Sequence, residues 1–361
     1  MITRKIFASG SSDSWFKGNI STLLILVIAG TAFISPANRQ NHVAERAQTT
    51  CQMSVQSPQT PSKPFTGPIF VTPGQYNSAL TEQFLELGPL NVRVIAAGPN
   101  IRNYDEQVQI LAEINGEGIT KSIGFSSYRD LEEKLAQPGP EGFPTHADFL
   151  HSIGVVGFTY STETSSGLIP WTPDDEMDNL FSTDPDTNSV VQFVNIAKNY
   201  GFDFVLWVPT RDTVDGLDST GQKIPDAEQA IALMYQAGLS GVGLQEQFLI
   251  DRQCVPERVA AFNETLQIHT ESAGETKPYI LINGLMESCT TGDEFAEESC
   301  GLPPDHYPWQ HCDQFVDQVA DQLDALSFLD QPSQKLIDFI KTLRSESVPP
   351  FLFYLPLAMR E

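Results

Sequence analysis

The chain has 361 residues, 40% of them apolar, which suffices for one large core or two modest ones and argues against a disordered or fibrous protein. Its formal charge of −25, from 21 basic and 46 acidic residues, repels phosphate backbones and anionic lipid surfaces. No basic stripe offsets that field, so nucleic acid is not expected as a partner, and no cofactor is expected either.

Residues 1–37 read as a signal peptide or N-terminal anchor. Arg4, Lys5 and Lys17 supply a positive start, and Ser21 to Ile34 is an uncharged apolar run. That run is shorter than the ~20 residues of a comfortable membrane span and suits a signal h-region. Ser35-Pro36-Ala37 then offers the small residues of a cleavage site. An uncleaved anchor is the alternative; after cleavage no stable membrane contact is expected. Cys51 lies well past the apolar run, so a lipoprotein is not indicated. Residues 38–67 are polar and end in SPQTPSKPFTGP, the composition of a flexible linker.

From residue 68 to 361 short apolar runs alternate with helical patterns. The strands expected are Ile69–Thr72, Val92–Ala97, Lys121–Phe125, Val155–Tyr160, Phe202–Val208, Gly241–Phe248, Tyr279–Asn283 and Leu326–Leu329. Helical patterns between them include Val190–Asn199, Ala227–Gln236, Pro256–Thr270 and Gln314–Leu323. Gly201, Gly238 and Gly274 stand where a helix ends on a residue of positive φ. Alternating β and α with continuously apolar strands predicts a parallel sheet covered by helices, and eight strands in a domain of this size predict a closed TIM-like (β/α)8 barrel. A ninth run, Phe351–Leu357, does not fit that count. An open doubly wound sheet is the alternative, weakened by the lack of a Gly-rich phosphate loop after any strand.

Helix-to-strand links are tight, whereas the strand-to-helix links Ser161–Thr187, Thr210–Pro225 and Leu285–Cys312 are long and acidic. In a barrel the long links gather at the C-terminal face, where such folds build their sites. All five cysteines, Cys51, Cys254, Cys289, Cys300 and Cys312, lie after the export segment, where disulfides are permitted; a bridge is expected within the acidic stretch holding Cys289, Cys300 and Cys312, and the odd count leaves at least one thiol over. Their spacing with His306 and His311 is not a zinc pattern, and no metal site is assigned.

Candidate site residues follow from the strand ends. Glu163 comes just past the fourth strand, where sugar-cleaving barrels keep a general acid. Thr172-Pro173-Asp174-Asp175-Glu176 reads as a helix start, with Thr172 capping and Pro173 first in the helix. In Gly241–Phe248 alternation sends Val242 and Leu244 to the helices, and Gly243, Gln245 and Gln247 into the barrel. Paired amides there can hold a hydroxyl-rich ligand or close a polar layer, and both readings stay open. Asn283 ends the seventh strand where a second carboxylate would be sought, which weighs against an ordinary glycosidase. Tyr160, Trp171, Trp207 and Trp309 lie near the same loops and offer faces for sugar rings, although Trp207 within FVLWV suits the core.

The order Gly124-Phe125-Ser126-Ser127, Tyr160-x-x-Glu163, Thr172-Pro173-x-x-Glu176, Ala197-x-x-x-Gly201-Phe202, Pro209 and Gln245-x-Gln247 resembles a family of secreted bacterial proteins of unknown function with a glycoside-hydrolase-like barrel. The resemblance spans roughly Lys121 to Leu329. It implies the barrel fold and Glu163, Glu176, Gln245 and Gln247 as one functional set, without implying a reaction. Ser161-Thr162 stands where the family often has Asp-Pro, and Cys289–Cys312 is an additional stretch. Two functions follow as expectations. One is a carbohydrate-active, hydrolytic protein with Glu163 as acid/base and Tyr160, Trp171, Glu176, Gln245, Gln247 and Asn283 holding the sugar. The other is an envelope protein that binds glycan without turnover or serves structure alone.

Overall fold

The computed structural model describes residues 64–73, 83, 86–95, 104–162, 172–209, 224–245, 255–283, 315–316, 318–327 and 334–345. The export segment, all five cysteines and the ninth run at 351–357 lie outside the described residues. Residues 64–67, read above as the end of the linker, belong to the barrel: Phe65 is buried, and its amide donates to the Leu343 carbonyl at 2.7 Å.

Eight strands form the wall: β1 Ile69–Val71, β2 Leu90–Ile95, β3 Ile119–Phe125, β4 Val155–Ser161, β5 Phe204–Val208, β6 Gly241–Gln245, β7 Tyr279–Asn283 and β8 Ala325–Ser327. Each pairs in parallel with the next, and β8 pairs with β1 to close the barrel. The open-sheet alternative is thereby set aside. The helices around it are α1 Tyr104–Glu113, α2 Tyr128–Ala136, α3 His146–Ser152, α4 Asp174–Asp178, α5 Ser189–Asn199, α6 Ala227–Ala237, α7 Val255–Ala273 and α8 Gln334–Arg344. The expected helix Gln314–Leu323 is replaced at its end by a 3-10 turn, Ala320–Gln322.

The helix ends follow from residue chemistry. Gly201 has φ +84°, the Phe202 amide reaches the Ala197 carbonyl at 3.0 Å and the Gly201 amide reaches that of Lys198 at 2.9 Å. That is a Schellman ending, so Ala-x-x-x-Gly-Phe is the sequence of a helix stop. Phe202 then packs edge-on against Phe158 of β4, 4.6 Å between centroids, which fixes α5 on the sheet. The start of α4 lies one residue later than the sequence suggests: Pro173, not Thr172, is the cap, and Asp174 opens the helix.

Alternation divides the side chains into two sets. One large cluster between sheet and helices includes Val92, Val94, Ile123, Phe125, Phe158, Tyr160, Val205, Trp207, Val242 and Leu244. A second, inside the barrel, is built from Phe70, Leu206, Leu281 and Ala325, with Phe204 and Tyr279 against it. One irregularity matters for β4. Lys121 pairs with Val155 but Ser122 with Gly157, so Val156 is bulged out and exposed. The bulge flips the parity and sends both Val155 and Phe158 to the helix side.

Two buried histidines make the fold acid-sensitive. His269 on α7 is fully buried; its Nδ1 meets the Tyr235 hydroxyl at 3.0 Å, and its Nε2 has no partner among the described residues. Burial pushes its imidazole down to about 4, and burial also pushes His146, which meets the Tyr104 hydroxyl at 2.9 Å, down to about 4. A depressed histidine contributes stability that is intact above the unfolded value near 6.5 and is lost as pH falls toward 4, because the unfolded chain takes the proton first. Urea denaturation at pH 7.0, 6.0 and 5.0 is therefore expected to show falling stability, with His269 contributing roughly 1.4 kcal/mol per pH unit below 6.5. His269→Phe should remove that part of the slope.

Candidate functional site

The barrel interior changes character along its axis. Its lower part is closed by Phe70, Phe204, Leu206, Tyr279, Leu281 and Ala325. Phe204 and Tyr279 meet edge to face at 5.2 Å. Toward the carboxyl ends of the strands the next inward positions are polar: Asn283 follows Leu281, Ser327 follows Ala325, and Arg93 follows Asn91.

Arg93 organises this upper layer. One of its terminal nitrogens, Nη2, donates to Asn283 Oδ1 and to Ser327 Oγ, both at 2.8 Å. Its guanidinium carbon sits 5.5 Å from the centre of the Phe70 ring, so the side chain crosses β1 on its way from β2 to β7 and β8. Below it, Asn91 Oδ1 accepts from Ser122 Oγ at 2.6 Å and Asn91 Nδ2 donates to Thr120 Oγ1 at 2.8 Å, which completes a polar belt on β2 and β3. Arg93 is 5% exposed, and burial lowers its pKa to about 10, so it remains charged at neutral pH. The sequence reading missed this residue. Its signal is a lone arginine in Leu90-Asn91-Val92-Arg93-Val94-Ile95, at an inward position of a strand otherwise apolar on its helix side.

Asn283, expected near a ligand, is thus oriented from within. A guanidinium only donates, so the Asn283 oxygen faces Arg93 and the amide nitrogen is the edge offered onward. Gln245 ends β6 two residues beyond Gly243, in register with Asn283. Glu163, Trp171 and Gln247 lie outside the described residues. The chain is held up to Thr162, whose amide donates to the Val208 carbonyl at 3.0 Å and whose Oγ1 accepts from Trp207 Nε1 at 3.3 Å. Glu163 therefore directly follows the last residue paired between β4 and β5.

Tyr160 and Glu176 come together on the other side of the sheet. Glu176 is fully buried. Its Oε1 accepts from Ser127 Oγ at 2.6 Å, and its Oε2 accepts from the Tyr128 amide at 3.0 Å and the Tyr160 hydroxyl at 2.9 Å. Ser127 also caps α2, accepting from the amides of Arg129 and Asp130. The carboxylate thus rests on a helix N-terminus, where the dipole and free amides favour an anion. Arg129 stands 3.9 Å from Oε1 and is anchored by Asp175. The Ser189 hydroxyl closes the knot on the Glu176 carbonyl at 2.7 Å. Burial, more than the neighbouring carboxylate, drives the Tyr160 phenol well above its usual range, so it stays protonated and donates. Tyr160 stacks on Phe193 of α5 at 4.6 Å. Three separate sequence motifs, Gly-Phe-Ser-Ser, the Tyr160 strand end and Thr-Pro-x-x-Glu, are therefore one buried hydrogen-bonded unit.

A groove of about 640 Å³ lies in the helix layer, lined among others by Asp105, Lys134, Phe143, His146 and Phe149. Lys134 and Asp105 are engaged with each other there at 3.1 Å, and Lys134 also stands 4.5 Å from the centre of the Tyr104 ring. Among the described residues no group of three His, Cys, Asp or Glu gathers to hold a metal ion, and no helix is long and apolar enough to cross a membrane.

No family model matches the chain, and no curated protein matches it. Solved structures do. A dihydropteroate synthase from Thermus thermophilus is 13% identical with a TM-score of 0.38, covering 77% of this chain and 94% of its own. A GH18 chitinase from Flavobacterium johnsoniae is 10% identical with a TM-score of 0.41, over 78% and 94%. A chitinase-like lectin from tamarind is 9% identical with a TM-score of 0.36, over 76% and 98%.

Glu176→Gln keeps the volume and removes the charge, and it sets an amide donor against three donors. We expect a loss of about 2–4 kcal/mol in urea denaturation. A sugar-contacting role alone predicts no such loss, so an unchanged midpoint would remove the scaffold role from Glu176.

Proposed function

We propose that this protein works outside the cytoplasm as a carbohydrate-handling barrel, with its ligand held at the carboxyl ends of the strands. The observation that carries the reading is the switch inside the barrel from an apolar floor to a polar layer of Arg93, Asn283 and Ser327. A closed floor leaves one open direction, and fixed donors and acceptors above it suit a ligand rich in hydroxyls. In this reading Asn283 and Gln245 contact the sugar, Trp171 and Gln247 add loop contacts, and Glu163 supplies the proton to the leaving oxygen. Tyr160 and Glu176 act from behind, tying β4 and α4 to the start of α2, since Glu176 spends its carboxylate on the Tyr160 hydroxyl, Ser127 and Tyr128.

A second reading, recognition of glycan without turnover, is favoured by one feature. The described inward positions toward the strand ends include Arg93, Thr159, Ser161, Val208, Asn283 and Ser327 and no acid, so a partner carboxylate for Glu163 is missing from them.

A hydrolysis screen over neutral and acidic polysaccharides, paired with a glycan-binding array, separates the two. With the full chain we expect product release, lowered about 10²–10⁴-fold in Glu163→Gln. Asn283→Ala should raise KM more than it lowers kcat. Binding kept by both proteins without turnover selects the recognition reading, and silence in both assays discards carbohydrate altogether.

A further inference from the structure

Arg93 is a buried cation left short of partners. Nη2 is spent on Asn283 and Ser327, while Nη1, with its two N–H groups, is buried and has no partner among the described residues. Among the described residues no carboxylate lies within ion-pair distance of it, and burial is the sole cause of its lowered pKa. A guanidinium does not escape this cost by deprotonating at neutral pH, so the interior keeps a positive charge with an unfilled donor.

The neighbouring strands hold two more unfilled groups. Thr159 lies at an inward position of β4, and Ser126 follows β3 directly; both are about 1% exposed, and neither hydroxyl has a partner among the described residues. Register relates Arg93 to Thr159 through β3: Arg93 pairs with Ser122, and Gly124, two residues on, pairs with Thr159. Between them Gly124 has no side chain. A Cβ there would meet the carbonyls of Val94 and Thr159 at 3.7 Å and Ser161 Oγ at 3.9 Å, so the glycine keeps a methyl-sized space open on the inner wall. Arg93 Nη1 and the hydroxyls of Thr159 and Ser126 are thus buried, unfilled groups contributed by three successive strands, β2 to β4, at inward positions or just past them.

We propose that this recess binds an oxyanion of the ligand, a carboxylate or a phosphate, so that the sugar handled here is a small acidic one. The inference rests on the carbohydrate reading for the sugar and on Arg93, Ser126 and Thr159 for the charge. Size follows from the whole-molecule field. A net charge of −25 repels a long polyanion, whereas one oxyanion buried against Arg93 feels mainly the local cation. The donors are preformed, so binding requires no rearrangement of them.

Matched pairs of sugars test it on the full chain at pH 7 and 0.15 M salt, read by calorimetry and by the shift in Tm. Galacturonate differs from galactose in one carboxylate, and glucose 6-phosphate differs from glucose in one phosphate; acetate and inorganic phosphate are run alone. We expect one charged sugar to bind at least tenfold tighter than its uncharged counterpart, and the pair that does so identifies the oxyanion. Arg93→Met should abolish the difference. Thr159→Val and Ser126→Ala, each removing one hydroxyl, should weaken the charged sugar about three- to tenfold, with the uncharged sugar unmoved. Those two variants decide the matter if Arg93→Met does not fold. Charged and uncharged sugars binding alike would overturn the anion site and leave the carbohydrate reading standing. Response to acetate or phosphate that depends on Arg93, with no gain from any sugar, would uphold the anion site and sink the carbohydrate reading. No response to any of the six probes would overturn the anion site.

Discussion

A guanidinium inside a closed barrel is the constraint on which the upper half of this molecule depends. Taking an arginine out of water is costly unless its donors are met, and the residues that meet them are drawn from across the seam. Arg93 starts on β2, passes over Phe70 of β1 and ends on Asn283 of β7 and Ser327 of β8. β1 and β8 are three residues each, so their backbone pairing alone is a short closure. The side-chain bridge spans that same seam and ties the first strands to the last. It also dictates the order of layers, since rows that are apolar at Leu281 and Ala325 must turn polar at Asn283 and Ser327 to receive it.

The second buried charge behaves in the opposite way, and the contrast separates scaffold from site. Glu176 is surrounded by donors supplied by Ser127, Tyr128 and Tyr160, and it sits on the N-terminus of α2. Both oxygens of that carboxylate are used to tie the end of β4 and the start of α2 to α4. Among the described residues Arg93 has one terminal nitrogen filled and one unfilled, and the inward wall of the next two strands carries two further unpartnered hydroxyls. A fully satisfied charge stabilises a connection; a partly satisfied one at the strand ends retains capacity to bind.

The fold was legible because its signals are local and repeated. Eight apolar runs with glycine-stopped helices between them required a parallel sheet, and Gly201, Gly238 and Gly274 all take positive φ as their positions demanded. Parity in β6 was equally readable, with Val242 and Leu244 in the helix-side core. The start of α4 was misplaced by one residue, because Thr172 has the chemistry of a cap while Pro173 takes the position. The inward face of β4 was hidden by the bulge at Val156, which is set by pairing with Lys121 and Ser122 and leaves no mark in the sequence. Glu176 and Tyr160 could be singled out, but not their union with Ser127, since that contact joins residues 49 apart through the tertiary fold. Arg93 escaped notice for a related reason: on its own strand it is a lone charge, and its meaning comes from β7 and β8, 190 and 234 residues away.

The most direct test of this account is a crystal structure of the full chain grown with the acidic sugar that binds best. The account predicts an anionic oxygen of that ligand within hydrogen-bond distance of Arg93 Nη1, with Asn283 and Ser327 still on Nη2. A carboxylate of the chain itself seated on Nη1 would contradict it, because the charge would then be internal structure and the barrel mouth would have no anion site to offer.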